Sequence, residues 1–212
     1  MRWVTHDDAD RSGQDQQPAD SPYHRTLPVG ERLSGQPLVD DPLSSFEEVR
    51  LRPLAPMLVP EAPRAGTRDR AECGHCRPSE HTIWTDGTWQ VRSGFTPSGL
   101  PFVGGIAPVE HVLLESAPVE VLSALGPLMQ RVSNAVKAVP GVARCHFSRW
   151  GDGSEHFHLW ALARPAGMMQ GRGAMLAFWD DVLPAVPADL AAEHRRIVAE
   201  HLARDGGESL VS

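Results

Sequence analysis

The chain has 212 residues, of which 41% are hydrophobic and 22% are charged, and its formal net charge is −7 at pH 7. These values are typical of a globular protein with one core and a tail. The negative charge argues against binding of long nucleic acid, because proteins that bind long nucleic acid carry a basic surface stripe. No apolar run approaches the ~20 residues of a membrane helix, and the acidic start lacks a signal-peptide core. We therefore expect a cytoplasmic protein that has no membrane segment.

The first third of the chain differs in composition from the rest. Nine of the 19 prolines lie in residues 1–70, among scattered polar residues and with little hydrophobic periodicity. Such a composition is typical of segments that cannot bury a core. We predict a disordered tail over residues 1–45, an arm or linker over residues 46–70 and a domain over residues 71–206.

Strand signals begin soon after Cys73. Thr82–Thr85 and Trp89–Arg92 flank Asp86-Gly87, which predicts two strands joined by a tight hairpin turn. Leu100–Ile106 predicts a third strand, in which two glycines mark a bend or a close approach of backbones.

A helix and two more strands follow. Apolar residues at spacings of three and four predict a helix that opens at Ser116, runs to Val136 and is ended by Pro140-Gly141. Val142–Ser148 and His156–Ala163 are apolar segments of strand length, joined by a loop rich in glycine. A last helix is expected from Pro187 to the glycines at 206 and 207. The order of elements predicts an α+β sheet with helices packed on one face.

Two histidines alternate on the last predicted strand. Side chains two residues apart in a strand lie on the same face, so His156, His158 and Trp160 share one face while Phe157 and Leu159 point to the core. Two imidazoles in this arrangement can hold one metal ion. Alternatively, one can hold a metal while the other acts as a nucleophile.

Cys73 and Cys76 have the Cys-x-x-Cys spacing of two thiolates on one zinc ion. In a reducing compartment such a pair indicates a metal or redox site and not a disulfide. Two thiolates are half of a zinc site, and the candidates for the other ligands are His81, His111 and His156.

Ile106–Val112, the helix that follows it and the histidine-rich strand that ends in Arg164 resemble the histidine triad (HIT) superfamily. That family alternates three histidines with hydrophobic residues, commonly followed by a proline and an arginine. With Trp160 in the third position, Arg164 falls where the family has its arginine. The resemblance runs from about Cys73 to Pro165 and implies a HIT-like antiparallel sheet.

The resemblance also implies a metal site. The pattern is closest to the zinc-bearing galactose-1-phosphate uridylyltransferase-like branch, in which a Cys-x-x-Cys pair, a later histidine and the first triad histidine bind the metal. Here the corresponding residues are Cys73, Cys76, His111 and His156. Four protein ligands leave no open position, which implies a structural zinc. His81 stays an alternative to His111.

The resemblance implies a nucleotide hydrolase or nucleotidyltransferase with His158 as the nucleophile that attacks a phosphate. Gly153 and Ser154 are the expected phosphate contacts, and Trp160 and Arg164 are the expected further contacts to substrate. The substrate would be a nucleotide, a nucleotide sugar or a phosphate ester, and a homodimer is possible.

Two departures from the family pattern leave other functions open. Trp160 replaces the third histidine and cannot carry a proton, and the loop before His156 is short. The alternative function is an inactive, zinc-stabilised domain that binds a nucleotide or a partner. A third reading is a metallohydrolase, in which His156, His158 and either His146 or His111 hold a catalytic metal.

Overall fold

The computed structural model describes residues 27–40, 44–56, 60–94 and 98–211. The chain divides into two compact units, one up to Pro63 and one from Arg64 onward. The first unit contains the one-turn helix α1 (Gln36–Val39) and a parallel bridge between Val29 and Leu54. Most of the tail that was predicted to be disordered lies outside the described residues. Its described part contains α1, which the prediction did not include.

The second unit is built on a six-stranded sheet. Its strands are β1 (Thr82–Thr85), β2 (Trp89–Ser93), β3 (Val103–Pro108), β4 (Val142–Ser148), β5 (Leu159–Pro165) and β6 (Glu208–Ser209). They lie in the order β4-β5-β3-β2-β1-β6, and every neighbouring pair is antiparallel. The predicted α+β antiparallel sheet is confirmed. The short strand β6 was not predicted, because two residues are too few to show a period-two pattern.

The hairpin between β1 and β2 closes as its sequence predicts. The Asp86 carboxylate accepts hydrogen bonds from the backbone N–H groups of Thr88 (2.9 Å) and Trp89 (2.7 Å). Gly87 has a φ of 84°, a conformation that residues with a side chain rarely adopt. The local turn chemistry therefore sets the register of the first two strands.

Helices α2 (Val119–Lys137) and α4 (Ala188–Arg204) pack on one face of the sheet. Their apolar stripes meet alternate residues of β5 in the main core, whose members include Val132, Val136, Ala161, Ala163, Val198 and Leu202. The predicted packing of helices on one face is confirmed for these two. A third helix, α3 (Met175–Val182), was not predicted and packs against Leu162 in a second apolar cluster. Because Leu162 alternates with the core residues of β5, α3 lies on the opposite face.

The histidine-rich segment leads into β5 and is not part of it. The prediction began this strand at His156, whereas β5 begins at Leu159. The reason is that Phe157 pairs beyond the end of β3, where its N–H donates to the carbonyl of Val112 (2.7 Å). The predicted alternation of side chains between the two faces still holds, since Phe157 and Leu159 join the core.

None of the helices in the described part of the chain has the length and apolar character needed to cross a bilayer.

Candidate metal centre and the adjoining histidine

Two cysteines and two histidines meet at one end of the sheet. Cys73 follows a single 3-10 turn, Arg70–Glu72, and Cys76 comes one turn later. His111 follows β3 and His156 precedes β5, and these strands are neighbours, so their ends bring the two imidazoles together. The ligand atoms of the four residues all lie within 4.8 Å of one another.

The distances fit a tetrahedral metal site. Cys73 Sγ lies 3.4 Å from His156 Nδ1, and Cys76 Sγ lies 3.5 Å from the same nitrogen and 3.2 Å from His111 Nδ1. With metal–sulfur and metal–nitrogen bonds of about 2.3 and 2.0 Å, a tetrahedron has sulfur–nitrogen edges of roughly 3.5 Å. The four predicted ligands therefore surround a space that one ion fits, and the donor set supports a metal site.

Hydrogen bonding orients His156 for that role. Its Nε2 lies 3.0 Å from the carbonyl of Pro108 and donates its proton there, which leaves Nδ1 unprotonated toward the two sulfurs. Burial lowers the pKa of His156 to about 4, so the ring is neutral at pH 7. Burial, together with the neighbouring Cys73, raises the pKa of Cys76 to about 11. A metal ion that binds here displaces thiol protons.

The backbone of the cysteine loop is held by two buried polar side chains of β2. Arg92 is 4% exposed, and its guanidinium donates to the carbonyls of Gly74, His75 (2.9 Å) and Arg77 (2.7 Å). Gln90 accepts from Arg92 Nε (2.9 Å) and donates to the carbonyl of His75 (3.0 Å). The loop is therefore fixed on the sheet by side chains as well as by its cysteines.

His158 is oriented by a hydrogen bond to the backbone carbonyl of His156. Its Nδ1 lies 2.7 Å from the carbonyl of His156, a geometry in which Nδ1 carries the proton and donates it. In the neutral ring, the other nitrogen, Nε2, then carries the lone pair. The His158 side chain is buried and lies outside the group of four candidate metal ligands.

His75 is a member of the site that the sequence interpretation missed. Its ring stacks on His158 with centroids 4.7 Å apart and planes at 24°, and it approaches His156 at 5.1 Å. Burial, followed by the charges of neighbouring histidines, lowers the pKa of His75 to about 3. The available signal was its position between the two cysteines. Arg92 and Gln90 were also missed, because a polar side chain on a buried strand carries no pattern of its own.

Trp160 connects His158 with a cavity. The two rings meet edge to face with centroids 6.4 Å apart, and the centroid of the Trp150 ring lies 6.3 Å from that of Trp160. Both tryptophans line a cavity of about 610 Å³ beside the sheet. Its apolar walls include Leu100, Phe102 and Leu162, and its polar members include Ser93, Asp181 and Arg195. Trp160 thus contacts His158 and also lines the cavity, whereas His158 is not one of the lining residues.

The loop that was predicted to contact phosphate is held on the side that faces the candidate metal site. The Ser154 hydroxyl lies 3.8 Å from Cys73 Sγ, and the carbonyl of Gly153 accepts from the N–H of Ala65. Glu155 accepts from the hydroxyl of Thr67 at 2.6 Å. The loop is therefore ordered by residues just before the cysteines, a contribution that the sequence did not indicate.

Three other histidine and arginine candidates lie apart from the group of four. Arg164 is at the far end of β5, about 20 Å from His158 along the strand, and donates to the carbonyl of Met168 (3.1 Å). His146 sits on β4 opposite Leu162. The backbone of His81 pairs with Ser93. Among the described residues, His111 and not His81 completes the metal-binding group.

No protein-family profile matches the chain, and no curated protein matches it. Solved structures of histidine triad proteins are similar to it. A zinc-bound family member from Mycobacterium smegmatis is 19% identical, with a TM-score of 0.42, over 60% of this chain and 86% of that chain. A hypothetical histidine triad nucleotide-binding protein from Sulfolobus tokodaii is 13% identical, with a TM-score of 0.44, over 60% of this chain and 86% of that chain.

A uridylyltransferase mutant is 18% identical, with a TM-score of 0.41, over 63% of this chain and 48% of that chain. These similarities are distant, so the metal-binding group rests on the distances between its own atoms.

Proposed function

We propose that this chain is a HIT-like nucleotide hydrolase or nucleotidyltransferase that uses His158 as its nucleophile. The observation that carries the proposal is the 2.7 Å hydrogen bond between His158 Nδ1 and the carbonyl of His156. It selects the tautomer with a lone pair on Nε2, which is the form that a nucleophilic imidazole requires. A nucleotide, nucleotide sugar or phosphate ester is the proposed substrate class.

In the proposed reaction, His158 Nε2 attacks the phosphorus of the bound nucleotide and the bond from phosphorus to the leaving group breaks. The nucleotidyl group is then carried on Nε2, and the positive charge of the ring is stabilised because Nδ1–H keeps its bond to the His156 carbonyl. Water or an acceptor hydroxyl next attacks the phosphorus and gives its proton to solvent. The P–N bond breaks, its electron pair returns to Nε2, and His158 is released as the neutral ring. The cavity beside Trp160 would hold the part of the substrate that does not react.

Zinc is the proposed metal at Cys73, Cys76, His111 and His156. Two sulfurs and two imidazole nitrogens in a tetrahedral arrangement suit zinc, and four protein ligands leave no open position. The ion would therefore fix the cysteine loop against the ends of β3 and β5. The arrangement disfavours the metallohydrolase alternative, because His158 and His146 lie outside the group of four.

A trapping experiment tests the proposal. The protein is incubated with a panel of radiolabelled nucleotide sugars and dinucleotides, and the acid-labile adduct is mapped by mass spectrometry. We expect nucleotidylation at His158, its loss in His158→Ala and its retention in His146→Ala, a histidine on the neighbouring strand. Tight nucleotide binding without any adduct would instead favour the second candidate, a binding domain without turnover. Trp160 favours that candidate, since its indole cannot pass a proton to a leaving group.

A further inference from the structure

His75 contacts the proposed nucleophile through the face of its ring. The centroids of His75 and His158 lie 4.7 Å apart and their planes make an angle of 24°, a near-parallel stack. His75 belongs to the loop between Cys73 and Cys76, so this contact joins the metal-binding loop to His158. Nothing in the reaction described above uses the side chain of His75.

The plane of the His158 ring needs such a contact. The second side-chain torsion of histidine has a broad energy profile, so rotamer preference does not fix the plane of the ring. The bond from Nδ1 to the His156 carbonyl fixes one edge of the ring but allows it to tilt about that bond. A ring stacked on the face removes the tilt and aims Nε2 in one direction.

His75 is itself held from two sides. Its carbonyl accepts hydrogen bonds from Arg92 (2.9 Å) and from Gln90 (3.0 Å), and both of these side chains are buried on β2. The flanking cysteines hold the same loop through the metal-binding group. The stacked ring of His75 is therefore the contact by which a change in this loop reaches the face of the His158 ring.

We propose that His75 is a positioning residue, whose ring face sets the plane of His158 and couples it to the metal-binding loop. The proposal rests on the proposed function only in that it treats His158 as the nucleophile. The proposed role of His75 depends only on stacking. Phenylalanine at position 75 should therefore preserve the orientation of His158, and alanine should not.

The test uses nitrogen-15 NMR of the imidazoles in zinc-loaded wild type, His75→Phe, His75→Ala and the control His146→Ala. In wild type, His75→Phe and His146→Ala we expect one neutral His158 tautomer with a protected Nδ1–H proton. In His75→Ala we expect that proton to exchange rapidly and the tautomers to mix. Removal of the metal with a chelator should shift the His158 signals in every variant, because the His156 carbonyl bonds His158 directly. The shift should be larger in wild type and His75→Phe than in His75→Ala.

Unchanged His158 signals in His75→Ala would overturn the proposal. So would a His75→Phe variant that behaves like alanine, because the imidazole itself would then be required. Loss of metal from His75→Phe would also contradict it, by making His75 part of the metal site. If wild type turns over a nucleotide, kcat should fall about tenfold to a hundredfold in His75→Ala with little change in KM. The NMR result stands whether or not turnover is found, so failure of the two proposals can be told apart.

Discussion

Arg92 offers a quantitative test of how the metal-binding loop is held. Its buried guanidinium donates to three loop carbonyls and to Gln90, and the substitution Arg92→Met removes all of these donors. Methionine is unbranched and of similar length, so it keeps most of the packing of the arginine stem. The variant therefore measures the contribution of the hydrogen bonds to stability separately from the contribution of side-chain packing.

The expected loss follows from the number of bonds. A hydrogen bond from a charged donor contributes about 1.5–3 kcal/mol net, so three bonds to the loop give roughly 4.5 kcal/mol at the lower end. Gly74 and Arg77 are exposed, and water can replace the bonds to their carbonyls. A loss of about 3 kcal/mol is then expected, which lowers Tm by about 6–12 °C in a chain of this size.

Thermal unfolding of zinc-loaded protein, followed by far-UV circular dichroism, measures this loss. Arg77→Met is the matched control, because Arg77 lies in the same loop, is exposed and makes a single bond to the carbonyl of Glu72 (3.2 Å). We expect its Tm to stay within about 2 °C of wild type. If Arg92→Met unfolds at the same temperature as Arg77→Met, side chains do not hold the loop and the reasoning is wrong.

Two further predictions concern the core and a turn. Burial raises the pKa of the Cys145 thiol to about 12, so roughly one thiol in ten thousand is ionised at pH 8. Alkylation of Cys145 should therefore be rapid only after unfolding, and equal alkylation rates in folded and unfolded protein would contradict this prediction. Gly207 and Gly141 have φ values of 78° and 79°, but a Cβ at Gly207 would lie 2.6 Å from a backbone oxygen while one at Gly141 would meet nothing within 4 Å. Alanine should cost about 1 kcal/mol at Gly141 and about 2 kcal/mol more at Gly207 in urea unfolding, and equal costs would refute the clash.

Elements with a strong local pattern could be predicted from the sequence. The hairpin at Asp86-Gly87 and the apolar stripe of α2 depend on residues that are close together in the sequence. Strand β4 has the bounds that its apolar run indicates. Helix α3 was missed, because its eight residues are too few to show a clear helical period before Pro184. The start of β5 was misplaced, because strand pairing depends on where β3 ends and not on the segment itself.

That the four candidate ligands come together could be predicted from one motif and one resemblance. Cys73 and Cys76 have a metal spacing, and the resemblance supplied His111 and His156, which the fold brings together. The parts that could not be predicted depend on contacts between distant segments. His75 meets His158 only after the loop folds onto the sheet, and no local pattern marks that stack.

The expected roles of Ser154 and Arg164 show what a sequence motif cannot predict. Both were placed by position within a motif, and a motif does not say where a side chain finds its partner. Ser154 lies beside Cys73, and Arg164 bonds the turn after β5. Their contacts with a substrate stay predictions.

The central claim is a division of labour between two histidines, His156 on the metal and His158 free for chemistry. Elemental analysis of metal content in wild type, His156→Ala and His158→Ala tests it most directly. We predict one zinc per chain in wild type and in His158→Ala, and a loss of zinc in His156→Ala. Zinc lost from both variants would make the two histidines ligands of a shared metal and contradict the account.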